Sequence, residues 1–153
     1  MANKKFIPGR FVRLRLSKNC FGYGRLREDG NISFYDFYTV EPSDDLSKIA
    51  QNPILFTVCV HDSALNKWEV IGDKPLEEHL KQPFLQFWQD VGDIKNCRIF
   101  DMEGNERQVT PAECEGLERW AVWEAPHVES RLIDSLQGRA NKYAESMKVR
   151  YAS

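Results

Sequence analysis

Gly22-Tyr23-Gly24-Arg25-Leu26-Arg27-Glu28-Asp29-Gly30-Asn31-Ile32-Ser33-Phe34-Tyr35-Asp36-Phe37-Tyr38 is the stretch on which the reading of the fold turns. Asp-Gly between two runs rich in aromatic and branched residues signals a β-hairpin, because glycine accepts the positive φ of a tight turn. With Asp29-Gly30 as a two-residue loop, Glu28 pairs with Asn31, Leu26 with Ser33, Gly24 with Tyr35 and Gly22 with Phe37. Both strand glycines then face aromatic rings that can fold over bare backbone, which explains glycine where a strand otherwise disfavours it. A phosphate-binding loop would lead into a helix, whereas this one leads into a strand. Asn31–Tyr38 carries Ile32, Phe34, Tyr35, Phe37 and Tyr38, apolar on both faces, as in a central strand.

Outward from the hairpin, Val12, Leu14 and Leu16 alternate with Arg13 and Arg15, the pattern of a half-buried strand. Residues 39–53 read as a polar connection with one helical turn from Asp45 to Ala50, and Ile54–Val60 as a buried strand. Trp68–Gly72 is a further strand, Pro75–Leu80 a short helix, and Pro83–Trp88 irregular. Asn96–Asp101 predicts a strand ending in a turn at Glu103-Gly104-Asn105. Thr110-Pro111-Ala112-Glu113 is a capping box with proline at the first helical position, and a short strand follows at Ala121–Trp123. Val128, Leu132 and Leu136 form a helical stripe from Pro126, broken by Gly138. Ala140, Tyr143, Met147 and Tyr151 then predict a last amphipathic helix. The expected fold is α+β. An antiparallel β-sheet or partly open barrel comes from the N-terminal two-thirds, with C-terminal helices packed against it, in one domain over residues 1–153.

Composition agrees with a globular chain: 153 residues, 42% hydrophobic and 29% charged. No apolar run reaches the roughly 20 residues of a membrane helix, and Met1–Phe6 lacks the apolar stretch of a secretory signal. A cytoplasmic protein with reduced thiols at Cys20, Cys59, Cys97 and Cys114 is therefore expected, with Cys59 a small core residue.

The chain offers no positive case for catalysis. His61, His79 and His127 form no metal-ligand spacing, and no cysteine pair has zinc-site spacing. His127-Val128-Glu129 matches the first half of a zinc deaminase signature, but the second half is missing. At Cys114, Glu113 and Glu115 oppose thiolate formation. No catalytic, metal or cofactor-binding residue is assigned. A constellation assembled only in space stays open as an alternative.

Charge is uneven. Residues 1–28 carry eight Lys/Arg against one acid, residues 29–134 nine against 21, and residues 135–153 four against one. Arg13, Arg15, Tyr23, Arg25 and Arg27 would project from adjacent strands as a basic, tyrosine-bearing patch. Such a patch suits internal ion pairing, for instance with Asp36, or an acidic protein partner, or nucleic acid on a small β-barrel.

Several segments in order resemble one family. They are Gly22–Arg25, Tyr35–Tyr38, Ile54–Val60, Trp68–Gly72, Cys114–Glu118 and His127–Leu132. Together they are similar to immunity protein 26 of bacterial polymorphic toxin systems, from about Gly9 to Leu136. Residues 138–153 form a C-terminal helical extension outside it. The resemblance implies a β-rich, non-enzymatic protein that neutralises a cognate toxin by direct binding in the cytoplasm, occluding its active site or substrate groove. For a toxin with a basic groove, the candidate contacts are the acids Asp44, Asp45, Glu77, Glu78, Glu103 and Glu106. The alternative is a small nucleic-acid-binding β-barrel using the Arg/Tyr patch, its binding weakened by salt.

Overall fold

The computed structural model describes residues 6–151; the reading of the amino terminus as no signal segment rests largely on residues 1–5, outside the described residues. The decisive stretch forms a hairpin, β2 (Cys20–Leu26) and β3 (Ile32–Thr39), with β1 (Arg10–Ser17) antiparallel on the other side of β2. Its loop holds three residues, not two. The Arg27 amide donates to the Asn31 carbonyl at 2.9 Å, and Gly30 closes the loop at φ 87°. The register therefore slips by one from the expected pairing: Leu26 faces Ile32 and Gly24 faces Phe34. An irregularity between Gly22 and Gly24 then sets Gly22 against Tyr38. Gly24 still needs bare backbone, because a Cβ there would lie 3.0 Å from the Phe34 ring. For Gly22 the crowding comes from elsewhere: a Cβ would meet Leu132 of the C-terminal helix at 2.6 Å.

Three further strands and three helices complete the larger sheet and its covering layers. β4 (Ile54–Val60) pairs with β3, β5 (Glu69–Asp73) with β1, and β10 (Val122–Trp123) lies parallel to β4. The resulting open sheet has the order β10-β4-β3-β2-β1-β5. β3 is internal to it, as its two apolar faces require. α1 (Leu46–Ala50) is capped by Asp45, whose side chain accepts from the Lys48 amide; α2 (Ala64–Lys67) precedes the buried Trp68. α3 (Ala125–Leu136) carries proline in its first turn and packs on β1, β3 and β4.

Both faces of this sheet are covered. On one, Val12, Leu14, Phe34 and Val58 pack against Trp68 and against Val128 and Leu132 of α3. On the other, Phe11, Phe21, Tyr23 and Tyr35 pack under Ile49 of α1. At about 1.5–3 kcal/mol per fully buried large side chain, these two layers supply the main driving force for folding.

The remaining strands form a second sheet that the sequence does not announce. β6 (Gln86–Gln89), β7 (Cys97–Phe100), β8 (Glu106–Val109) and β9 (Glu118–Arg119) take the order β8-β7-β6-β9. Pro83–Trp88, expected to be irregular, thus contains a strand, because pairing with β7 supplies hydrogen bonds that no local pattern reveals. Other expectations shrink. Pro75–Leu80 becomes a 3-10 turn at Glu78–Leu80, and the capping box opens a 3-10 turn at Pro111–Cys114. The last helix is only α4 (Lys142–Ser146).

Beyond α4 the chain runs across the small sheet. Arg119 donates to the carbonyls of Met147 and Lys148 at 3.0 and 3.2 Å, and Gln89 exchanges two hydrogen bonds with the backbone of Arg150. Val149 closes the small core of Phe87, Cys97, Ile99, Val109 and Cys114. The extension after Gly138 thus completes the second sheet. Among the described residues, no helix is long and apolar enough to cross a membrane.

Candidate functional site

The five residues of the expected basic patch do not form an exposed face. Phe11, Arg13 and Arg15 of β1 lie opposite Arg25, Tyr23 and Phe21 of β2, as the patch requires, but α1 and its flanking connections cover that side. Arg25 is 0% exposed. Its Nε donates to the Gly9 carbonyl at 2.7 Å, Nη1 to the Tyr35 hydroxyl and to Glu77 at 2.9 Å, and Nη2 to the Lys74 and Pro75 carbonyls, both at 2.9 Å. The guanidinium also lies 3.9 Å from the Phe11 ring centre. Arg27 holds Asp29 and the Gln82 carbonyl, while Arg13 holds Glu69 at 2.7 Å and the Ser43 carbonyl. The buried Tyr23 hydroxyl bonds Thr39 and receives the Ser43 amide. Of the five, only Arg15 is exposed, flanking the Phe21 ring. The physical reason is coverage: a buried guanidinium must be paired and hydrogen-bonded, and these loops supply acids and carbonyls to do it. The acids that do so are Glu77, Asp29 and Glu69, not Asp36.

The six candidate acids scatter accordingly. Glu77 is spent on Arg25, and Asp45 on the α1 amide it caps. Asp44 and Glu78 are exposed on the connections bordering the six-stranded sheet. Glu103 and Glu106 stand together on the β7–β8 hairpin, Glu106 within 3.2 Å of Arg98.

That hairpin adjoins the one large aromatic face that the described residues leave open. Strand alternation puts Trp88 and Gln86 on one side of β6 and Phe87 on the other. Trp88 lies across from Arg98, and Phe100 from Glu106. Trp120, just past β9, anchors its amide to the Phe87 carbonyl at 2.9 Å, beside this strand. Trp88 and Trp120 remain 40% and 47% exposed. With Phe100 and Arg98 they line an open cleft of about 290 Å³ that Glu106 and Asp101 border. A second cleft, of about 210 Å³, shares Asp101 and adds Glu28, Phe84, Met102 and Glu103. The sequence reading missed this face because β6 and β9 were not recognised; the Trp88/Phe87 alternation was its available signal.

Asp101 shapes the hairpin that carries the acids. Its carboxylate accepts from the Asn105 side chain at 3.0 Å and from the Glu103 and Asn105 amides at 2.8 and 3.2 Å. Those bonds, the Asn105 side chain first, hold its pKa below the ordinary carboxylate value.

Nothing in the nucleophile inventory gains from the fold. Burial, and then its neighbour Cys97, push the Cys114 thiol to about 11, with Glu113 a lesser cause. Cys59 is half-buried rather than a core residue, because it lies where β4 meets the short β10. His127 is exposed and stacks on Tyr143 at 4.1 Å. No group of three His, Cys, Asp or Glu that could hold a metal ion occurs among the described residues.

No curated protein and no solved structure matches this chain. A family model described as Immunity protein 26 matches residues 7–98, more than half of the chain. The match takes in the six-stranded sheet except β10, then β6 and the start of β7. Trp88 and Arg98 fall within it; Glu103, Glu106, Trp120 and α3 lie beyond it. With that match over the hairpin, its glycines and the buried arginine between the two layers, the chain belongs to the immunity protein 26 family.

Proposed function

We propose that this protein neutralises a cognate bacterial toxin by direct, non-enzymatic binding in the cytoplasm. Family membership gives the immunity role. The observation that carries direct binding is the exposed pair Trp88 and Trp120, on a molecule whose other two tryptophans, Trp68 and Trp123, are buried. Exposed tryptophan beside arginine is the composition of protein–protein contact centres. Most of the large polar side chains near the core, Arg25 and Arg131 among them, are engaged in internal pairs.

The test is capture from the native bacterium with the intact chain as bait, then co-expression with whatever toxin domain is recovered. A stoichiometric toxin whose lethality the chain suppresses is the expected result. If no toxin is recovered, or the recovered one kills equally well with the chain present, the proposal fails.

A further inference from the structure

The two clefts share Asp101 and meet at the turn between β7 and β8, so that the surface runs from the small sheet to residues 27–29 and 80–84. Its centre is apolar: Trp88, Phe100 and Trp120 in the first cleft, with Met102, 55% exposed, in the second. Its border is acidic. Arg27 is held by Asp29 and Arg98 by Glu106, and the buried Asp101 is taken up by its own hairpin, which leaves the exposed Glu28 and Glu103 against Lys81. Apolar centre and charged rim is the anatomy of a specific protein interface, and the sign of the rim selects the partner.

We infer that this surface docks a basic protein segment, apolar side chains seated among Trp88, Phe100 and Trp120 and lysines or arginines meeting Glu28 and Glu103. The inference rests on the toxin-binding reading and names the face and the chemistry it uses. An acidic rim speeds encounter with a cationic partner and makes it salt-sensitive, while the tryptophans hold it once bound.

The test has two arms. In the first, a random-peptide phage library is selected on the intact chain, and the enriched peptides are synthesised and titrated by isothermal calorimetry. Expected are peptides rich in Lys and Arg with an apolar residue. Their affinity should fall about tenfold or more in Trp88→Ala/Trp120→Ala, as for contact-centre residues. It should fall severalfold in Glu28→Lys/Glu103→Lys, or when salt is raised from 50 to 200 mM. The charge variant keeps the test sharp should the tryptophan variant melt early. Acidic or neutral peptides, no enrichment, or affinity unchanged in both variants would overturn the inference. In the second arm, the wild type and both variants are compared in toxin protection. Loss of protection in the variants alone supports the inference. Equal protection by all three removes this face and leaves the immunity reading intact; no protection by the wild type removes that reading itself.

Discussion

The two sheets use the same residue types in opposite ways. In the six-stranded sheet, arginines and aromatic rings turn inward: Arg25 lies against Phe11 with all three of its nitrogens bonded, under α1 and the connection after β5. In the four-stranded sheet, one face closes over Phe87 and Ile99 with help from the C-terminal extension, and the other leaves Trp88, Arg98 and Trp120 to solvent. The difference is one of layers. A sheet sandwiched on both faces has to satisfy every polar group internally, whereas a sheet packed on one face keeps a free surface for a partner. The larger sheet is a scaffold and the smaller one carries the proposed contact surface.

The contrast breaks most visibly at Arg25. Arg25→Met should cost about 3–5 kcal/mol, because Glu77 and three carbonyls lose their donor, lowering the melting midpoint by roughly 10 °C. A loss below about 1 kcal/mol in urea unfolding would show that water replaces the network freely and that the scaffold reading is wrong.

A smaller and more local effect is expected where the extension crosses the small sheet. Arg119→Met removes bonds to Met147, Lys148 and Gln89, so the tail should fray while the six-stranded sheet stays folded. Thiol labelling at neutral pH reports it. Cys97 and Cys114 are buried, and Cys114 titrates only near 11, so both should react slowly in the wild type. In the variant their labelling should quicken about tenfold, the equivalent of ~1.4 kcal/mol of easier opening. Unchanged labelling would mean that the extension merely lies on the surface.

Removing both exposed tryptophans tests the other side of the comparison. Trp88→Ala/Trp120→Ala should lower unfolding free energy by no more than about 1–2 kcal/mol, less than Arg25→Met, since the two side chains keep 40% and 47% of their surface in water. A large stability loss would mark them as structural and erase the difference between the two sheets.

The smallest effect concerns acid. Asp101 is held below its ordinary value of 3.8, so its bonds to Glu103 and Asn105 stabilise the β7–β8 hairpin above that value. That contribution disappears as pH falls through the lowered folded value. Amide exchange should therefore loosen in the β7–β8 turn below about pH 3.8 before it loosens in β1–β3. Simultaneous loosening would count against a separate hairpin.

Much of the scaffold was legible because its signals are local. The alternation of residues 11–16, the run at 54–60, the Val128/Leu132 stripe and the Asp29-Gly30 turn each name an element without reference to the rest. The hairpin register was readable only to within one residue. A three-residue loop and a two-residue loop use the same glycine, and β3 offers an aromatic ring in either register. The candidate surface was far less legible. β6 and β9 are short and exist through pairing with β7 and with each other, and Glu103 and Glu106 could be named as loop acids but not placed beside Trp88.

By itself, then, the sequence determined the β-rich class, the central strand and the closing helix, all consequences of periodicity and turn chemistry within short windows, while the order of its motifs along the chain carried the family resemblance. Only the tertiary structure decided which faces are covered. It buried Arg25, Arg27 and Tyr23 under a second layer, bound the extension to the small sheet and left Trp88 and Trp120 in the open. The physical reason is that a strand pattern tells which residues share a face. Whether that face meets water depends on chain segments distant in sequence, here 40–50 and 74–82 on one sheet and 147–150 on the other.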